Sequence, residues 1–174
     1  MEKGLIQVYT GNGKGKTTAA LGVALSAVGH GQRVMMVQFM KGIVEYGEQL
    51  SAQKLSPYFK LIQAGRKAFV SKSDLDTQDI QHAQEGFSLA WKAIESKEYD
   101  IVILDEINVA VDFGLISLSD LLQLIDSKPE TVTLILTGRN ARPEVLDKAG
   151  LVTEMVERKH YFNKGVPPRK GIEY

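Results

Sequence analysis

Three glycines, two lysines and two threonines fall within the eight residues Gly11-Asn12-Gly13-Lys14-Gly15-Lys16-Thr17-Thr18, a set suited to gripping a phosphate chain. The glycines can adopt positive φ without a Cβ penalty, so consecutive backbone N–H groups can turn toward one concave point. A helix opening at Lys16 would add its unpaired first amides and the positive end of its dipole. Lys16 is then placed to lie along β- and γ-phosphate oxygens, and the Thr17 hydroxyl to take a place on Mg²⁺. The usual pattern G-x-x-x-x-G-K-[ST] asks for glycine where this chain has Thr10, with Gly11 one place later. A Gly-Lys-rich surface turn is the bland alternative, but such turns rarely sit between a buried strand and a buried helix.

A second landmark is Asp100-Ile-Val-Ile-Leu-Asp105-Glu106, four apolar residues that end in two carboxylates. Alone it is a weak signal, because many strands end in acidic turns. Beside a phosphate loop it gains weight, since in P-loop proteins an acidic residue at this place holds the metal, directly or through water. Asp105 and Glu106 should play different roles, because successive strand residues face opposite ways. Gln38 and Lys41 end another apolar run, and Thr137-Gly138-Arg139-Asn140 follows a third. Arg139 is a phosphate ligand or a solvated loop charge; its place at the same crevice edge favours the first.

These groups need elements to carry them. Leu5–Tyr9 reads as a strand buried on both faces and therefore central, and Lys16–Val28 as a helix apolar around most of its circumference. Arg33–Phe39, Phe59–Gln63, Asp100–Glu106, Val132–Leu136 and Leu151–Val156 read as further strands. Gly42–Lys54 is expected as a loop with a helical turn, and Gly65–Asp76 as a long loop. The spacing of Ile80, Ala83, Phe87, Ala90, Trp91 and Ile94 predicts an amphipathic helix over Thr77–Ser96, capped by Asp74 or Asp76. Shorter helices are expected at Leu118–Ile125, with Ser117 or Ser119 as cap, and at Arg142–Lys148. The tail from Glu157 is expected as a surface rope that could close over an anionic ligand. Alternating strands and helices give a three-layer α/β domain of P-loop type with a mostly parallel sheet.

The 174 residues suit one domain, 1–174, and the 44% hydrophobic and 24% charged residues read as an ordinary globule. Basic and acidic residues balance at 21 each, so no global field favours nucleic acid or an anionic membrane. Cysteine is absent, which removes disulfides, thiolate zinc sites and a cysteine nucleophile. No stretch reaches the ~20 apolar residues of a membrane span, and a cytoplasmic setting is expected. His30, His82 and His160 lack metal-ligand spacing and read as surface or satisfied residues.

Five separated stretches, VYTGNGKGKTTAALG, VQFMKG, VILDEINVA, LTGRN and the terminal GIEY, closely resemble the ATP:corrinoid adenosyltransferases of the bacterial cob(I)alamin type, over nearly the whole chain. The resemblance implies a RecA-like fold and transfer of the 5′-deoxyadenosyl group of ATP to the cobalt of a reduced corrinoid, releasing tripolyphosphate. It further implies Mg²⁺ or Mn²⁺, a homodimer and an electron donor that reduces the cobalt. Gly11, Asn12, Gly13, Lys14, Gly15, Lys16, Thr17 and Thr18 would hold the triphosphate, with Thr17, Glu106 and Asp105 at the metal. Gln38, Lys41, Asn108 and Arg139 would line the site, where Lys16, Glu106 and Arg139 carry the catalytic roles. Members of the family carry Gly-Phe-Thr-Trp before the long helix; this chain has Gly65-Arg66-Lys67-Ala68-Phe69-Val70, which leaves Phe69 as the aromatic assigned to the corrin. The competing readings are a P-loop ATPase or small-molecule kinase, with Glu106 activating the attacking group, and a nucleic-acid motor, which the balanced charge disfavours.

Overall fold

The computed structural model describes residues 3–42, 46–66 and 72–173. Six strands, β1 (Ile6–Thr10), β2 (Val34–Phe39), β3 (Phe59–Ala64), β4 (Ile101–Asp105), β5 (Thr133–Thr137) and β6 (Leu151–Glu154), form one sheet in the order β3-β2-β4-β5-β1-β6. Every pairing is parallel. A parallel sheet needs crossovers on its faces, and its inner strands are accordingly near-continuous apolar runs: all residues of β2 and β4 are buried. β1 is flanked on both sides but stands next to the edge strand β6, so it is interior without being central.

The helices divide between the two faces. On one, α1 (Lys16–Gly29) and α2 (Gly47–Lys54) cover Met36, Ile103 and Ile135. On the other, α3 (Thr77–Ser96), α4 (Ile107–Asp112), α5 (Leu118–Ser127) and α6 (Pro143–Lys148) cover Val37, Leu104 and Leu136. α1 is less buried than its composition predicts. Only Lys16, Ala20, Ala24 and Ala27 are buried, and Leu25 is 62% exposed. Its seat on the sheet is a stripe of small residues rather than a whole circumference. In α3 the stripe includes Ala83, Phe87, Ala90 and Ile94, whereas Ile80 lies outside it at 46% exposed. Asp76 caps this helix by accepting from the Gln78 and Asp79 amides, and the Asp79 carboxylate in turn accepts from the Asp76 amide. Ser117 caps α5.

Two short elements were not expected: α4, which starts directly at the end of β4, and a 3₁₀ turn at Tyr161–Lys164 in the tail. A parallel sheet collects the carboxyl ends of its strands on one edge, where ligands bind in such folds. In register, Gln38 stands beside Asp105, and Tyr9 beside Thr137. Four adjacent strands, β2, β4, β5 and β1, thus deliver polar residues to a single line.

Candidate functional site

The glycine-rich loop joins β1 to α1 and is braced from outside by the residue after β6. Gly13 N–H donates to the Met155 carbonyl at 2.6 Å, and Met155 N–H donates to Thr10 at 2.9 Å. A Cβ on Gly11 would lie 2.5 Å from the Met155 carbonyl oxygen, so only glycine fits there. Gly15, at φ 125°, makes the turn into α1. Lys16 is buried and curls back into the loop, its Nζ 2.8 Å from the Gly11 carbonyl oxygen and 2.7 Å from that of Gly13. Burial lowers its pKa, with the Arg139 charge adding to the effect and Glu106 and Asp105 opposing it.

At the end of β4, Asp105 is 0% exposed. Its Oδ1 accepts from the Thr17 hydroxyl at 2.8 Å and the Thr137 hydroxyl at 2.7 Å. Its Oδ2 accepts from Gln38 Nε2 and Lys41 Nζ, both at 3.1 Å. Burying a carboxylate is unfavourable unless it is bonded and paired, and these four donors meet that need. Lys41 also approaches Glu48 at 3.6 Å. Burial would lower the Lys41 pKa, but the charges of Asp105, Glu48 and Glu106 outweigh it and raise it.

Glu106 follows in a left-handed conformation, φ 62°, ψ 17°. This turn ends the strand alternation and starts α4, and Glu106 lines the cleft in front of the loop. Burial, reinforced by the Asp105 charge, raises its pKa against the pull of Lys41, Lys16 and Arg139. Asp105 and Glu106 do differ, one enclosed by donors and one lining the cleft, but the reason is the left-handed turn at Glu106 and not strand alternation, because β4 ends at Asp105.

The cleft has a volume of about 910 Å³, and Asn12, Gly13, Lys14, Gly15, Lys16, Thr17 and Thr18 form one wall. Lys41, Glu106 and Arg139 line it as well. The fold thus brings together nearly every residue singled out in the sequence. Gln38 and Asn108 lie just behind, buried, each with a side-chain oxygen (Oε1 and Oδ1) that has no partner among the described residues. A threonine hydroxyl, a strand-end carboxylate pair and orphaned amide oxygens are ligands of the kind a hard divalent cation takes. Among the described residues no three His, Cys, Asp or Glu converge on one point. Phe69 lies outside the described residues.

Sequence reasoning gave no site role to four contributors, Thr137, Met155, Tyr161 and Glu173, although it allowed the tail to close over an anionic ligand. Thr137 was readable as the residue before Gly138 and Arg139, but its bond to Asp105 depends on strand order. Met155 carries no signal, since it acts through its main chain. The tail contributes Glu173, whose Oε1 lies 3.1 Å from Lys14 Nζ, and Tyr161, 3.3 Å from the same nitrogen. Tyr161 also donates to Glu173, and the Arg169 guanidinium lies over its ring at 4.9 Å. His160 lines the cleft and accepts from the Phe162 amide at 3.1 Å, a satisfied residue.

The model of one protein family, described as ATP:corrinoid adenosyltransferase BtuR/CobO/CobP, matches residues 2–174. The corrinoid adenosyltransferase of Escherichia coli K12 is 36% identical over 99% of this chain and 87% of its own length. That of Pseudomonas aeruginosa is 33% identical over 99% of this chain and 85% of its own. Among solved structures, the flagellar accessory protein FlaH of Methanocaldococcus jannaschii superposes with a TM-score of 0.59 at 15% identity. The superposition covers 88% of this chain and 72% of FlaH, a likeness of fold.

Proposed function

The chain belongs to the ATP:corrinoid adenosyltransferase family, and from that premise we propose how its residues divide the work. The loop Gly11–Thr18 holds the triphosphate of ATP, with Lys16 and Arg139 placed against the oxygens that gain charge as the chain departs. Thr17 and Glu106 face Mg²⁺ or Mn²⁺, while Asp105 acts on Thr17 from behind. The chemistry such an ion supplies is neutralisation of the leaving oxygens. Gln38 and Lys41 hold Asp105, and Asn108, bonded to the Gly138 carbonyl, backs the cleft.

The reaction asks little else of the protein. Cobalt(I) brings its own electron pair to C5′, the cobalt–carbon bond forms, and the C5′–O bond breaks with its pair passing to the triphosphate. No proton needs to be removed, so no general base is required. The residues have to present C5′ in line and stabilise the departing charge. The observation that carries this reading is the 2.8 Å bond from the Thr17 hydroxyl to Asp105, which joins the phosphate loop to the strand-end carboxylates at one edge of the sheet.

Product analysis tests it. With Mg-ATP and a chemically reduced corrinoid, equimolar tripolyphosphate and a cobalt–carbon bond are expected; ADP without adenosylated corrinoid would refute it. The same proposal includes a homodimer and a separate electron donor, suggested by the family likeness, and a cytoplasmic setting, expected from the sequence. Sedimentation velocity at micromolar concentration checks the first.

A further inference from the structure

Thr137, at the carboxyl end of β5, is fully buried, yet its hydroxyl makes two contacts of opposite sense. It donates to Asp105 Oδ1 at 2.7 Å and accepts from the Glu106 N–H at 2.9 Å. One hydroxyl has one proton, so the direction of both bonds is fixed. The donated bond fills Asp105 Oδ1 together with that from Thr17. A Thr17 hydroxyl whose proton is committed to Asp105 keeps its lone pairs for a cation. The accepted bond holds the Glu106 amide in the left-handed turn, a conformation that costs a non-glycine residue about 1–2 kcal/mol. That turn is what carries the Glu106 side chain out of the strand and into the cleft.

A buried threonine at a strand end ordinarily satisfies itself on the nearest carbonyl oxygen. Here both partners belong to the acidic pair at the end of the neighbouring strand. We propose that Thr137 is a positioning residue for the metal-facing groups: its single hydroxyl aims Thr17 through the Asp105 carboxylate and Glu106 through the main chain. The inference rests on reading Thr17 and Glu106 as the groups that face the divalent ion. It concerns orientation, so its signature is in metal dependence rather than in phosphate binding as such.

The test is calorimetric titration of the full chain with ATP over a series of Mg²⁺ concentrations and in EDTA, for the wild type, Thr137→Val and Thr137→Ser. Valine keeps the shape and removes the hydroxyl. It should raise the Mg²⁺ concentration for half-maximal tightening of ATP by about tenfold, the scale of losing a supporting contact behind a metal ligand. Its ATP affinity in EDTA should match the wild type, and the Glu106 amide should exchange faster with solvent hydrogen. Thr137→Ser should restore both readouts. An unchanged Mg²⁺ midpoint in folded Thr137→Val overturns the proposal, as does an equal loss with and without Mg²⁺, the mark of a merely structural role. Should valine prevent folding, Thr137→Ala is read by the same two criteria. A wild type whose ATP affinity ignores Mg²⁺ would overturn the metal reading itself; wild-type dependence that survives in Thr137→Val would overturn Thr137 alone.

Discussion

Two carboxylates each gather several donors around a residue of the phosphate loop, and they do so in opposite settings. Asp105 sits at the end of an inner strand and takes Thr17 from the first turn of α1, and Thr137, Gln38 and Lys41 from the ends of neighbouring strands and the loop after β2. Glu173 sits in the tail and takes Lys14, Tyr161 and three nitrogens of Arg169 at the rim of the cleft. Arg169, followed by Tyr161, pulls the Glu173 carboxyl far below the usual carboxylate range. By bond count the two knots are close, four on Asp105 and five on Glu173. They differ in solvent: around Asp105 water is excluded and a lost donor cannot be replaced, whereas at the rim water and salt can substitute for each partner. Function that depends on fixed geometry therefore belongs at Asp105, and adjustable contact at Glu173.

The largest effect should come from inside the loop. Lys16→Ala removes the charge set against the departing triphosphate and should reduce tripolyphosphate release about 10²–10³-fold, some 3–4 kcal/mol in the barrier. Wild-type-like release would mean that the loop's interior is not where the leaving group is stabilised, and the contrast would lose its premise.

Next, Asp105→Asn should destabilise the fold by about 3 kcal/mol in urea unfolding, because a buried amide nitrogen would face donors that the carboxylate accepts, and Lys41 would lose the nearer of its two ion-pair partners. The loss should be the same at low and high salt. A strongly salt-dependent loss would make Asp105 no different in kind from the rim.

Glu106→Gln sharpens the contrast within the acidic pair. The fold raises the Glu106 pKa, so the carboxyl favours the fold most below its unfolded pKa, and that advantage is lost as pH rises through the folded value. The glutamine variant should therefore be more stable than wild type at neutral pH, the difference disappearing in acid, while its apparent Mg²⁺ affinity falls by at least about tenfold. A variant less stable than wild type at neutral pH would contradict the sign.

The smallest effect is expected at the rim. Glu173→Gln frees Lys14 and should tighten ATP by no more than about threefold, a change that vanishes in about 0.5 M salt. A larger or salt-insensitive change would place the tail knot on the same footing as Asp105.

Much of this was legible in advance. The α3 helix follows from its apolar spacing and the Asp76 cap, which are local. The strands showed themselves as β-branched and aliphatic runs, and the alternation of strands and helices was enough for a parallel three-layer domain. Where the reading of an element missed, the deciding quantity was a neighbour. α1 looks apolar all round, but only one side of it meets the sheet, so Leu25 is exposed. α4 was hidden because its start depends on the left-handed turn at Glu106, and that turn depends on Thr137, 31 residues away in sequence.

By itself the sequence determined which chemical groups this protein has and which short elements carry them: a glycine-rich turn before a helix, and strands that end in amide, carboxylate and threonine. Those are consequences of local backbone freedom and of apolar periodicity, which act within a few residues. Tertiary structure alone decided which groups meet. The order β2-β4-β5-β1 sets Gln38, Asp105 and Thr137 side by side and brings Thr17 to the same carboxylate, and the tail reaches Lys14 from the far end of the chain. The physical reason is that a buried carboxylate has to be met by donors, and those donors come from segments that only the packed sheet makes neighbours.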